Sequence, residues 1–304
     1  MSESNHIVNR LARGITRVFV RPFKRSTPPR KKVAILVPMS SRPDLTAEEE
    51  ISIRQLVHHL GAYDKFLLAP EGMKFDFDGF QTRGYPHKYF GSGAAHGKLL
   101  GTRAFYRSFL DYEYVFFYHL DSLAFSDQLA EWCEKGIDYI GPPWIHCEDS
   151  PWVDRPRVGN GGFTLLRVES ALKAITSRYR AQPPYFWYDL FNTSAPDWLV
   201  SIVARMESAF PNVRLLRRLM QERHEMANPV EFNRNNDIFW SDLAPYFDPD
   251  FKVASLEDGL RFAFEVSPRT CLEMNGGKMP FGCHAWAKYD RAFWEPHIVS
   301  NKAS

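Results

Sequence analysis

The chain has 304 residues, 44% of them hydrophobic and 24% charged, the make-up of a globular protein long enough to bury a full core without staples. It holds no run of roughly 18 apolar residues, so no spanning helix is expected, and its first 30 residues lack the apolar stretch and small-residue cleavage site of a secretory signal. The net charge of +2 is unevenly spread: residues 1–32 carry nine basic side chains against Glu3, a net of +8, and the remainder carries −6, which argues against a nucleic-acid groove in the body.

The basic segment has helical spacing. At about 100° per residue, Ile7, Val8, Leu11, Ile15, Val18 and Phe19 share one face, with Arg10, Arg13, Arg17 and Arg21 on its flank. Pro22 stops the helix, and Thr27-Pro28-Pro29 forms a linker. Residues 1–31 are thus expected to be an amphipathic extension, and 32–298 the main domain. A basic amphipathic helix suits an anionic membrane surface; packing on the body and plain disorder are the alternatives.

The body begins with a strand, Lys32–Met39, a polar loop Ser40–Thr46, and a helix Ala47–Leu60 stopped by Gly61. Lys65–Ala69 and, more weakly, Phe80–Tyr85 read as strands. Ala94–Leu110 reads as one helix. Tyr114–His119 is an apolar, aromatic run that ends in His119-Leu120-Asp121, as a buried parallel strand does. Strand–helix alternation over the first 120 residues predicts an α/β fold with a mostly parallel sheet. A carboxylate at the carboxyl end of such a strand stands where open α/β sheets bind ligands, although Asp121 can equally cap the following helix, Ser126–Glu134.

Beyond it, a strand Asp138–Ile140 is broken by Gly141-Pro142-Pro143-Trp144. The loop 145–157 leads to Val158-Gly159-Asn160-Gly161-Gly162 and a strand Phe163–Arg167. The glycines let the backbone approach a ligand closely or take positive φ, but the run opens no helix, so it is not a dinucleotide fingerprint. Residues 179–230 change character, with an aromatic patch Tyr185–Tyr188 and helical spacing over Trp198–Met206 and Val213–His224, a helical insertion that either shapes an acceptor pocket or packs as core. Asn235-Asn236-Asp237-Ile238-Phe239-Trp240, Phe262-Ala263-Phe264-Glu265 and Pro280-Phe281-Gly282-Cys283-His284-Ala285-Trp286 each set a polar or charged group among aromatics. The four cysteines form no CxxC pair and no zinc spacing, so reduced thiols in a cytoplasmic protein are the simplest account.

In this order the pieces resemble the GT-A glycosyltransferases: a VAILVP first strand, a strand ending in x-x-Asp, the GNGGF loop, a late acid-aromatic motif like Glu-Asp-x-x-Phe, and a terminal Phe-Gly-x-His-x-Trp. The resemblance covers roughly residues 32–297. Within that class the nearest likeness is to a bacterial glycosyltransferase-like domain family without an assigned function.

The resemblance implies a GT-A, Rossmann-like fold and a nucleotide-sugar donor whose diphosphate is neutralised by Mn²⁺ or Mg²⁺. It places Asp121, His119 and His284 at the metal, and Asp237 as the base that an inverting transfer needs near the acceptor hydroxyl. It groups Pro38, Lys98, Asp121, Trp144, Asn160, Gly161, Gly162 and Glu265 as donor- or acceptor-binding. Lys98 would reach a phosphate, Trp144 would stack on a sugar, and the glycines would contact the donor sugar or acceptor.

The chain departs from the family pattern twice: His119 replaces the first acid of Asp-x-Asp, and Asn236 replaces the Glu before Asp237. Structural alternatives stand beside several roles: a hydrogen-bonded structural imidazole for His284, a helix N-cap for Asp237, core for Trp144 and a solvated lysine for Lys98. The expected activity is sugar transfer to a glycan or glycolipid acceptor in bacterial surface-polysaccharide assembly, on the inner face of the cytoplasmic membrane. The alternative is a catalytically inactive nucleotide-sugar-binding or scaffolding protein of the same fold. No nucleic-acid partner is expected.

Overall fold

The fold is given by a computed structural model that describes residues 29–42, 44–176 and 236–300. The amphipathic helix expected over 7–25, the aromatic patch Tyr185–Tyr188 and the helices Trp198–Met206 and Val213–His224 lie outside the described residues.

The chain enters through β1 (Lys31–Pro38), α1 (Ala47–Leu60), β2 (Asp64–Pro70) and β3 (Phe80–Tyr85). It continues through α2 (Gly93–Leu100), α3 (Arg103–Arg107) and β4 (Tyr112–Tyr118). The six-stranded sheet has the order β3-β2-β1-β4-β9-β6, where β6 is Tyr139–Ile140 and β9 is Phe163–Arg167. The strands β3, β2, β1 and β4 are parallel, and β9 alone runs against its neighbours. The expected mixed α/β fold with a mostly parallel sheet is therefore present.

Strand alternation divides the core between the two faces of this sheet. Ala34, Leu36, Phe66, Leu68, Val115 and Phe117 face α2, α3 and the helical residues 168–176. Val33, Ile35, Val37, Leu67, Tyr114, Phe116 and Tyr118 face α1 and α4 (Leu129–Glu134). Both faces are covered, which is why these strands read as near-continuous apolar runs instead of alternating ones.

The helix expected over Ala94–Leu110 is two helices. Gly101 ends α2, and Thr102 takes an extended conformation and accepts a hydrogen bond from Phe105 N at 3.3 Å, capping α3 afresh. The helix expected over Ser126–Glu134 is shorter, beginning at Leu129.

A second sheet, of three short strands, completes the site. Its order is β10 (Ala263–Phe264), β11 (Gly282–Cys283) and β5 (Leu123–Ala124). A two-stranded ribbon joins β7 (Pro143–Trp144) to β8 (Arg157–Val158).

Candidate active site

Strand register brings the site together from distant sequence. Tyr118 pairs with Phe163 across the antiparallel β4–β9 ladder, so the next residues, His119 and Gly162, also meet: His119 N donates to Gly162 O at 2.8 Å. Leu123 pairs with Cys283, which sets Asp121 beside His284. Phe264 pairs with Cys283 in the parallel β10–β11 ladder, which sets Glu265 beside His284.

His284 is the hub. Its Nε2 lies 3.2 Å from Asp121 Oδ1, and its Nδ1 lies 3.0 Å from Glu265 Oε1. His284 is largely buried, whereas the Asp121 side chain is 53% exposed and can meet a ligand. Backbone bonds hold the imidazole on both sides: His284 N donates to Phe264 O at 2.9 Å, and Trp286 N donates to Asp121 O at 3.1 Å. Between them Ala285 takes φ +52°, a left-handed conformation that costs a non-glycine residue about 1–2 kcal/mol, so the turn is strained where it aims His284.

The donor atoms of His119, Asp121 and His284 all lie within 4.8 Å of one another. The residues expected at the metal are thus brought together. Their mix of imidazole nitrogen and carboxylate oxygen fits a divalent cation. Asp121 does not cap the helix that follows, since its carboxylate faces His284.

Charge in the cluster is sharply divided. Burial alone would push His284 down, but the carboxylates of Asp121 and Glu265 outweigh it and hold the imidazole up at about 10. Burial likewise opposes ionisation of Asp121, yet the charge and hydrogen bond of His284 keep it well below the usual carboxylate range. Burial and the neighbouring His284 charge push His119 down to about 3, so its ring is neutral.

Asp237 stands beside Gly161. It lies in α6 (Asn236–Ile238, with residues 168–176 as α5), and a Cβ on Gly161 would sit 3.3 Å from Asp237 Cβ and 3.7 Å from Asn236 Oδ1. Burial pushes the Asp237 carboxyl up to about 6, with the Glu265 charge adding to it, against the opposing bond in which Ile238 N donates to Asp237 Oδ1 at 2.9 Å. A carboxyl poised there can take a proton near neutral pH.

Most of the other expected residues pack or bond within the protein. Trp144 is buried. Its ring packs on Gly159, where a Cβ would come 2.1 Å from Trp144 Cε3, the Arg157 guanidinium covers it at 4.9 Å, and Trp152 meets it at 5.4 Å between ring centroids.

Gly161 and Gly162 do not have positive φ, and the close approach they permit is to protein. A Cβ on Gly162 would lie 2.0 Å from His284 Nε2. The Asn160 side chain is committed within the protein: its Oδ1 accepts from Gly162 N at 2.8 Å, and its Nδ2 donates to Glu265 Oε1 at 2.8 Å. Glu265 is buried at 7% exposure, with its Oε1 bonded to Asn160 Nδ2 and 3.0 Å from His284 Nδ1. Pro38 closes β1 opposite Leu68, and Lys98 is exposed in the last turn of α2; among the described residues neither side chain bonds to the cluster.

One site residue escaped the sequence reading. His96, in α2, lies 6.0 Å from His119 between ring centroids, and its buried Nε2 has no hydrogen-bond partner among the described residues. Burial holds its pKa down at about 4. A histidine one turn into a helix opened by Gly91-Ser92-Gly93 was the available signal.

A family model described as "Protein of unknown function (DUF5672)" matches residues 79–284. The chain belongs to this family. The matched span includes His96, His119, Asp121, Asn160, Gly162, Asp237, Glu265 and His284. No curated protein matches the chain. Among solved structures it is similar to the crystal structure of a glycosyltransferase involved in the glycosylation of the major capsid of PBCV-1. That likeness has a TM-score of 0.41 and 11% identity, and it covers 88% of this chain and 98% of the other. Similarity at that level transfers no function.

Proposed function

We propose that this DUF5672 member is a glycosyltransferase that moves a sugar from a nucleotide-sugar donor to a glycan or glycolipid acceptor. The observation that carries the reading is the convergence of His119, Asp121 and His284 at the carboxyl end of β4, with the raised-pKa carboxyl of Asp237 close by, beside Gly161. Ligands of open α/β sheets bind at the carboxyl ends of the strands.

His119, Asp121 and His284 would hold a divalent cation, Mn²⁺ or Mg²⁺, which when bound neutralises charge on a diphosphate leaving group. Asp237 takes the proton of the acceptor hydroxyl as that oxygen attacks the sugar carbon, and the nucleoside diphosphate departs from the opposite face. This in-line order inverts the anomeric configuration. Asn160, Gly161 and Gly162 act by position: they leave room for His284 and Asp237 and lock Glu265 in place.

Among the described residues no helix is long and apolar enough to cross a membrane. Residues 7–25 are proposed to hold the enzyme on an anionic membrane, on the inner face of a bacterial cytoplasmic membrane, where surface polysaccharide is assembled.

The second reading, a protein that binds the nucleotide sugar without turnover, draws on Asn236, which faces Gly161 beside Asp237 without a charge. One experiment separates the two. The protein is incubated with a panel of nucleotide sugars, Mn²⁺ and glycan or lipid-linked acceptors. Nucleoside diphosphate release is followed, and the product's anomeric configuration is read by NMR. An inverted glycoside supports the proposal. Saturable nucleotide-sugar binding with no release over any donor supports the second reading.

A further inference from the structure

We infer that the cluster is a nitrogen-rich transition-metal site, selective for ions of the Mn²⁺-to-Zn²⁺ series over Mg²⁺ and Ca²⁺, and that Glu265 is the positioning residue that builds it. The inference rests on the proposed cation role of the cluster, but it concerns which ion binds and what orients the ligands.

Two of the three donors are imidazoles, His119 and His284, and only Asp121 supplies oxygen. Mg²⁺ and Ca²⁺ take oxygen ligands, and Mg²⁺ keeps most of its water; imidazole suits Zn²⁺, Fe²⁺, Co²⁺ and Ni²⁺ far better. The separation also suits such an ion. Two donors each about 2.1 Å from one metal and about 100° apart lie about 3.2 Å from each other. The distance between His284 Nε2 and Asp121 Oδ1 is 3.2 Å.

Glu265 decides which nitrogen is offered. It engages Nδ1 of His284 and so leaves Nε2 facing Asp121. A carboxylate bonded to the far nitrogen of a ligating histidine fixes its tautomer, fixes the ring plane and raises its basicity. Glu265 is itself fixed, because the same Oε1 accepts from Asn160 Nδ2, and Asn160 Oδ1 accepts from Gly162 N. Gly162 in turn has no Cβ to push His284 Nε2 away. The chain Gly162–Asn160–Glu265–His284 therefore ties the loop to one ligand nitrogen.

The test uses the metal-stripped full chain with Co²⁺, Mn²⁺, Zn²⁺, Mg²⁺ and Ca²⁺ added singly, without nucleotide. Calorimetry is expected to give Co²⁺ and Zn²⁺ affinities at least about 100-fold above Mg²⁺ and Ca²⁺. Spin-echo modulation of bound Mn²⁺ is expected to show two imidazole nitrogens, with one lost in His119→Ala and the other in His284→Ala. Glu265→Ala is expected to weaken Co²⁺ binding about 10–100-fold. Glu265→Gln, which keeps the volume and an acceptor oxygen, is expected to lose less and to show a smaller shift in the Co²⁺ visible spectrum; it decides the role of Glu265 if the alanine variant does not fold.

Equal Mg²⁺ and Co²⁺ affinities, absence of imidazole modulation, or unchanged Co²⁺ affinity and spectrum in folded Glu265 variants would overturn the inference. The glycosyltransferase reading fails separately. Selective metal binding without sugar transfer sinks the function and keeps the site, whereas transfer that persists in chelator with no metal bound does the reverse.

Discussion

Asp237→Asn is expected to trade turnover for stability. The Asp237 carboxyl is raised from 3.8 to about 6. The pKa is higher in the folded state than in the unfolded chain, so the side chain costs nothing well below pH 4. Its cost grows as pH rises from about 4 to about 6, because the unfolded chain gives up the proton first. Above that range the ionised group destabilises the fold by about 3 kcal/mol, from roughly 1.36 kcal/mol per pKa unit. Asparagine keeps an oxygen to accept from Ile238 N and removes the charge that burial and Glu265 oppose. The variant should therefore gain up to about 3 kcal/mol at pH 7.5 and little at pH 4. Turnover should fall about 10²–10⁴-fold with donor affinity nearly unchanged, as loss of a general base requires. Urea unfolding at both pH values and steady-state kinetics read the two effects on one preparation. Equal stability changes at pH 4 and 7.5 would refute the electrostatic argument, and near-normal turnover would remove Asp237 from the chemistry.

Gly162→Ala should displace His284, because its Cβ would come 2.0 Å from Nε2 while the backbone stays pinned by Asn160 and His119; we expect a loss of about 1–3 kcal/mol from overpacking and the disappearance of metal binding by calorimetry, and wild-type metal affinity would contradict the geometry. Ala285→Gly should relieve the left-handed strain at φ +52° and stabilise the fold by up to about 1 kcal/mol in urea with His284 still in place; a destabilised variant would show that the Ala285 methyl packs better than its backbone suffers. A chain starting near Arg30 should fold and act on a water-soluble acceptor yet stop co-sedimenting with anionic vesicles, since Arg10, Arg13, Arg17 and Arg21 each contribute about 1 kcal/mol there; equal vesicle binding by the full chain would sink the membrane proposal.

Local pattern carried the sheet and the residues at its end. The apolar run from Tyr114 to Tyr118 and the abrupt His119-Leu120-Asp121 located β4 and the candidate ligands, because a buried parallel strand must be apolar on both faces. Roles that depend on register were not legible. Glu265 ends an apolar strand, as Asp121 does, and looked ligand-facing; only the pairing of Phe264 with Cys283 shows it beside His284. Trp144 in a proline-rich loop resembles a sugar platform until Gly159, far along the loop and across the β7–β8 ribbon, is seen to lie against its ring. The break between α2 and α3 was legible in Gly101-Thr102, a stop followed by a cap, but helical spacing on both sides concealed it.

The most direct test of the central claim is the thermal stability of the full chain with nucleoside diphosphates, with and without Mn²⁺, compared between wild type and Asp121→Ala. Asp121 is half exposed and bonded to His284, so its loss should leave the fold intact. The account predicts that at least one nucleoside diphosphate stabilises the wild type, by about 2.7 kcal/mol at 100 times its Kd, more strongly with Mn²⁺. It also predicts that Asp121→Ala loses the Mn²⁺-dependent part. No stabilisation by any common nucleoside diphosphate, or an identical Mn²⁺-dependent gain in folded Asp121→Ala, would contradict it.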